Sequence, residues 1–182
     1  MTQTRADAGT APRARALLQE RSRALARRGR ATAQVAATRR YLVCACGADR
    51  FGLPLGQVAQ VLPMRPVTPL PDAGPALLGL IALAGRVVSL LALAPALGRP
   101  AEPVAEAGHL VVVRGAAIPA ALAVDRVLGV AEIPDTALDT AYAEAGLSAE
   151  AVSGYCPSGA GPGADAGFVA IDLPRLMRRY LP

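Results

Sequence analysis

The stretch from Leu77 to Leu93, LLGLIALAGRVVSLLAL, is the most apolar in the chain and leaves three choices for what it can fold into: a membrane span, a buried helix or a β-hairpin. A span needs about 20 apolar residues without strong interruption. Here Arg86 sits near the middle and Pro95 closes the run. A central arginine costs roughly 2.5–3.5 kcal/mol on insertion scales, which many leucines could offset, so charge alone does not exclude a span. The glycines decide more. Gly79 opens the run and Gly85 splits it into two short segments rich in Leu, Ile and Val. Glycine reaches positive φ without steric cost, so the pattern reads as two strands joined by a tight turn at Gly85-Arg86, with Arg86 at the tip in water and no charge buried.

The rest of the composition agrees with short strands in a soluble domain. At 182 residues the chain can bury one sizeable core, or two small subdomains sharing one. Aromatics make up only 3%, so Leu, Val, Ile and Ala must build that core. With 18 Gly and 16 Pro, breakers recur every few residues, which suits strands and turns better than long helices. The net charge of +5 is unevenly placed. Residues 1–40 hold ten arginines against Asp7 and Glu20, and the remainder holds nine against twelve acids, so the basic character belongs to an N-terminal arm. Every basic residue is arginine, a bias that together with the alanine load reflects base composition and carries no binding argument.

Cys44, Cys46 and Cys156 are an odd number, and the N-terminus has no apolar signal region. The expectation is free, buried thiols in a reducing cytoplasm. In YLVCAC, Cys44 and Cys46 share one face of a strand, but a metal site would need two more ligands and His109 is the only histidine. No metal or cofactor is expected. His109 flanks a strand and reads as a surface residue.

Along the chain, residues 1–12 have no periodicity and read as disordered. From Arg13 to about Arg28 the composition favours an amphipathic helix with Leu17, Leu18 and Leu25 on one stripe and Gly29 as its stop. Such a helix admits nucleic-acid, lipid, transit-peptide or partner-groove roles, beside the plainer one of a solvated helix docked on its own domain or on a partner helix. The folded domain is expected over 39–182, with 1–38 as an extension. YLVCACGADRFGLPL reads as a hairpin turning at Gly47-Ala48-Asp49-Arg50, and Gln57 to Leu62 as a strand or short helix. Pro63, Pro66, Pro69 and Pro71 enforce an extended connection. After the central hairpin, strands are expected at 109–114 and from Ile118 to Val124, with Pro119 marking an edge or bulge, and Asp125 to Val130 continues the pattern. Asp135 to Ser153 is loose, and the glycine-rich run Ser158 to Asp165 reads as a flexible tip; it lacks the Lys-Ser/Thr and helix of a phosphate loop. Phe168 to Asp172 is the last strand and Leu173 to Leu181 a short terminal helix. Many short strands at near-regular spacing point to small barrels.

Catalysis finds no support. Asp72, Glu102, Glu106, Asp125, Glu132, Asp135, Asp139 and Glu144 are scattered at turns, and no Ser-His-Asp order, metal set or nucleotide loop is present. A strand-binding nucleic-acid barrel would need an aromatic platform that 3% aromatics do not supply.

Four segments in order resemble the CheW-like coupling domain of bacterial chemotaxis, from about Arg39 to Leu181: YLVCACGADRFGLPLGQVAQVL, VTPLPDAGPALLGLIALAGRVVSLLAL, HLVVV with ALAVDRVLGV, and FVAIDLPRLM. The resemblance implies a mainly β fold of two interlocked five-stranded SH3-like barrels, here with an N-terminal helical extension and a short terminal helix. It implies a cytoplasmic, non-enzymatic adaptor that couples the cytoplasmic tip of methyl-accepting chemoreceptors to the regulatory domain of a histidine kinase, without nucleic acid or a membrane span. A second possibility is a CheW-like domain that has lost receptor coupling and regulates another complex through its arginine-rich helix.

Carried over position by position, Leu55 and Val58 match positions that line the kinase contact, and Gln60 lies where many relatives have an acidic residue near the receptor contact. For any single aliphatic residue on a strand, Leu55 and Val58 included, core is the commoner role. The turn that relatives write Asn-Leu-Arg-Gly is here Ala82-Leu83-Ala84-Gly85, so Ala84 replaces the partner-binding arginine, with Arg86 two residues on as its possible substitute. The next strand, usually Val-Pro-Val-(Val/Ile)-Asp-Leu, is Val88-Ser89-Leu90-Leu91-Ala92-Leu93, so an aspartate has become Ala92. Losing both charges would remove charge-assisted partner contacts while sparing the core. Gly79 and Asp125 keep the pattern, Asp125 as a turn acceptor.

Overall fold

The computed structural model describes residues 37–100, 107–142 and 147–181. The chain divides after Ala36, and every described residue belongs to the second unit, Ala37–Pro182. The expected disordered start and the helix over 13–28 lie outside the described residues.

Ten strands and two short helices follow in order: β1 Thr38–Cys46, β2 Asp49–Pro54, β3 Val58–Pro63, β4 Leu77–Leu83, β5 Arg86–Ala92, α1 Leu93–Ala96, β6 His109–Val113, β7 Ala120–Val124, β8 Arg126–Pro134, β9 Val152–Cys156, β10 Phe168–Ile171 and α2 Leu173–Tyr180. The apolar stretch is a hairpin. β4 and β5 pair antiparallel with Leu83 opposite Arg86, so the two-residue turn is Ala84-Gly85. Both turn residues have positive φ, 48° and 75°, the geometry whose twist matches the flanking strands. Arg86 is exposed as the first residue of β5. Among the described residues, no helix is long and apolar enough to cross a membrane.

The strands form two five-stranded sheets, ordered β8-β1-β2-β10-β9 and β3-β6-β7-β5-β4. Barrel two is built from the consecutive strands β3 to β7, inserted between β2 and β8 of barrel one. The two orders are the same once barrel one is read from β8 through β10 and then back to β1 and β2. Each has one parallel pair, β10 with β2 and β5 with β7. Each is closed by one isolated antiparallel bridge, Asp139 to Tyr155 and Thr68 to Leu80, with reciprocal N–H···O bonds of 2.8–2.9 Å. Beside each bridge lies a bulge glycine at positive φ, Gly154 and Gly79.

The core is aliphatic, as the composition requires. Its largest cluster takes Leu42, Cys44, Cys46 and Phe51 from barrel one and Leu91, Val111 and Leu122 from barrel two, so the barrels share it. A second cluster around Tyr41, Val43, Ile133 and Phe168 fills barrel one, and a third around Ile81, Leu90 and Leu110 fills barrel two. β1 is buried on both faces from Tyr41 to Cys46, its alternate side chains entering the first two clusters, which explains an unbroken apolar run where a half-buried strand would alternate.

Several expectations are corrected. Pro119 precedes β7, which is central and not an edge; its carbonyl accepts from Ser89 N at 2.9 Å, so the missing N–H costs no ladder bond. Of the two alternatives for Gln57 to Leu62 the chain takes the strand, β3, entered from a 3-10 turn at Leu55–Gln57. The loose region ends in a real strand, β9. The glycine-rich run after it is packed against β8 and is no free tip. Pro162 O accepts from Glu132 N at 2.9 Å, Ala164 is 1% exposed, and a Cβ on Gly161 or Gly163 would lie 2.1 Å from the carbonyl of Glu132 or Val130. Close backbone approach explains these glycines. His109 is half-buried rather than on the surface, its Nδ1 shielded from solvent.

Candidate docking surface

Registers bring three separate segments to one end of barrel two. Val58 opens β3 opposite Val113, the last residue of β6. Arg114, just beyond, donates its backbone N–H to Gln57 O at 2.7 Å and its Nη2 to Val58 O at 3.3 Å. β5 runs parallel to β7 with Ser89 opposite Ala120, so the residues of β5 before Ser89, and the Ala84-Gly85 tip, extend past the start of β7 to that same end. The turn carrying Leu55, the β6–β7 loop and the β4–β5 tip thus share a surface.

The individual placements differ. Leu55 is half-buried and packs against the shared core. Val58 is 8% exposed and lies inside that core cluster. Gln60 is exposed on β3 opposite Val112, two residues further along the strand. Ala84 and Arg86 are exposed at the tip.

Sequence reasoning missed the most exposed apolar residues here. Val87 is 65% exposed, Ile118 40% and Val61, on the outward face of β3, 37%. Val87 lies in β5 before its first parallel pair with β7, Ser89 opposite Ala120, and Ile118 lies in the loop that leads into β7. Strand alternation points Val87 away from the buried Val88. That much was available in the sequence, but the parallel pairing of β5 with β7 depends on a crossover that no local pattern reveals.

Between the barrels lies a cleft of about 200 Å³ lined by Cys46, Asp49, Ala92, Arg99 and Asp125. Asp125 accepts from Gly47 N at 2.6 Å, which ties the β7–β8 corner to the β1–β2 turn and makes it the turn acceptor expected of it. Arg99 Nε meets Asp49 at 2.8 Å and joins the end of α1 to β2. Ala92 is 1% exposed, so it offers nothing to a partner, and its replacement of an aspartate bears on the frame rather than on an interface.

All three cysteines are free and buried. Burial, and then the neighbouring Cys46, push the Cys44 thiol up to about 12; burial does the same for Cys46, also to about 12, and raises Cys156. Such thiols stay protonated and are poor nucleophiles. Among the described residues no three His, Cys, Asp or Glu side chains are placed to hold a metal ion.

Two five-stranded barrels in permuted order, closed by matching bridges around a shared core, define an all-β double-barrel domain. The chain belongs to the CheW-like domain family, which matches residues 40–180. The crystal structure of scaffolding protein TtCheW from Thermoanaerobacter tengcongensis is similar in fold, with a TM-score of 0.65 at 19% identity over 75% of this chain and 86% of that one. No curated protein sequence matches the chain.

Proposed function

We propose that residues 39–182 form a non-catalytic, cytoplasmic adaptor that couples chemoreceptor tips to the regulatory domain of a histidine kinase by docking both on barrel surfaces. The observation that supports this reading is that the turn carrying Leu55, the β6–β7 loop and the β4–β5 tip with Ala84 and Arg86 lie at one end of barrel two, where Val87 and Ile118 are exposed, on a CheW-like domain. Aliphatic side chains held out on a rigid ladder lose little freedom on docking, so they suit an interface that fixes a partner's orientation. With Ala84 in the place of the family arginine, apolar burial supplies the affinity and Arg86 the charge at the tip.

The test is capture of partners from native cytoplasm by the full chain, by Val61→Arg and by Val87→Glu. Recovery of a histidine kinase and a chemoreceptor by the wild type, with loss of one or both by the folded variants, supports the reading. Equal recovery by all three baits, or recovery of neither partner by the wild type, rejects it.

A further inference from the structure

We infer that a groove between the β6–β7 loop and α2 is a second docking site, one for an acidic amphipathic peptide segment of another protein. The groove encloses about 230 Å³. Its walls are apolar, with Val113 and Ala116 on the loop side and Met177 and Leu181 on the helix side. Its rim is basic: Arg114 and Arg178 border it and both are exposed. Among the described residues neither has a carboxylate in salt-bridge reach. Inside, Gln57 Oε1 is shielded from solvent and accepts no hydrogen bond from any described residue. A buried acceptor without a donor costs free energy until something supplies an N–H or O–H.

The surroundings fix the sign of the occupant. Arg175 and Arg179 adjoin Arg178 on α2, and Arg39 and Arg40 border the neighbouring hollow that shares Gln57 and Pro174 with this groove. Against these six arginines stand Glu132, Glu150, Asp172 and Asp135; the last two are paired with Arg175 and Arg39, and Glu132, opposite Arg40 in the β1–β8 ladder, accepts from Thr38 Oγ1. The domain beyond the N-terminal arm is otherwise net acidic, so this basic face is local and not a reflection of overall charge. An apolar slot under a basic rim fits leucine-like side chains flanked by Asp or Glu, and an N–H or side-chain donor of the same segment satisfies Gln57. A nucleic-acid strand would meet the arginines but leave the apolar walls unfilled.

The groove adjoins the first docking surface through the β6–β7 loop, but Val61 and Val87, the residues that test that surface, are not among its walls, so the two tests are separable. The full chain is titrated against a short labelled helical peptide built of Glu and Leu with leucines at i, i+3 and i+4, against its Gln/Leu counterpart, against single-stranded DNA and against phosphatidylserine vesicles. The expected result is binding of the Glu/Leu peptide that weakens about tenfold in Arg114→Glu/Arg178→Glu and is unchanged in Val61→Arg. Melting curves check that both variants remain folded. No binding of the Glu/Leu peptide overturns the inference. So does equal binding of the Gln/Leu peptide, the DNA or the vesicles, or an affinity indifferent to the arginine reversals.

Discussion

Ala92 and Asp172 occupy the same position in the two barrels. Ala92 is the last residue of β5 and Asp172 the first beyond β10, the strands that pair in parallel across each barrel, and each donates its backbone N–H to the carbonyl of a buried alanine, Ala92 to Ala76 at 2.8 Å and Asp172 to Ala151 at 2.9 Å. Each is also the N-cap of the helix that follows. Asp172 Oδ1 accepts from Arg175 N at 3.0 Å, whereas Ala92 caps nothing. The third residue of α1 is Pro95, which has no N–H to give, so the donor that Asp172 uses in one barrel does not exist in the other.

Asp172→Ala is therefore expected to cost about 1 kcal/mol in a urea unfolding midpoint, and Asp172→Asn only a few tenths, since the amide oxygen still caps. The half-exposed ion pair of Asp172 with Arg175 adds little. Restoring the family aspartate with Ala92→Asp is expected to destabilise by about 1 kcal/mol or more. It buries a carboxylate in the cleft already lined by Asp49 and Asp125, with no N–H at the third helical position. A stabilised Ala92→Asp protein would show that the alanine is not tied to Pro95.

The bulge glycines lock the barrels shut. A Cβ on Gly79 would lie 2.2 Å from Thr68 O, and one on Gly154 2.7 Å from Asp139 O, in each case against the strand that closes the barrel. Both residues also hold φ values, 141° and 152°, that L side chains rarely adopt. Gly79→Ala and Gly154→Ala should each lower stability by roughly 2 kcal/mol or more. Gly56→Ala, where a new Cβ meets nothing within 4 Å, should leave the midpoint nearly unchanged.

Val58 and Val61 separate frame from surface within one strand. Val58→Ala should cost about 2 kcal/mol, and Val58→Arg, which forces an unpaired charge into the shared core, should abolish the cooperative thermal transition. Val61→Arg should stay within about 0.5 kcal/mol of wild type. Loss of a partner in Val58→Arg would then report unfolding, while the same loss in Val61→Arg reports an interface.

What could be read in the sequence follows from the range of the interaction involved. The β4–β5 hairpin was legible because Gly85 and two aliphatic runs act within a few residues. The two-barrel frame was legible through four segments kept in order. β9 was not, because Val152-Ser-Gly-Tyr-Cys is interrupted by the bulge that Gly154 makes, and its partner Phe168 to Ile171 lies across a long loop. The burial of Val58 depends on a register between distant strands. Ala92 looked like a lost interface charge only because its counterpart Asp172 could not be matched to it before the permuted order was known.

Cys44 and Cys46 predict how stability responds to alkali. Their folded thiols titrate near 12 against an ordinary value of 9.0, so the unfolded chain releases these protons first as pH rises. The stabilisation they carry is fully present below about pH 9 and is lost between there and pH 12, at about 1.4 kcal/mol per pH unit for each thiol. Urea midpoints should thus fall by the equivalent of on the order of 4 kcal/mol between about pH 8 and pH 10.5. The Cys44→Ala/Cys46→Ala double variant will start less stable but should lose most of that slope. A slope that survives in the double variant would assign the alkaline loss to other groups and place the two thiols in water rather than in the shared core.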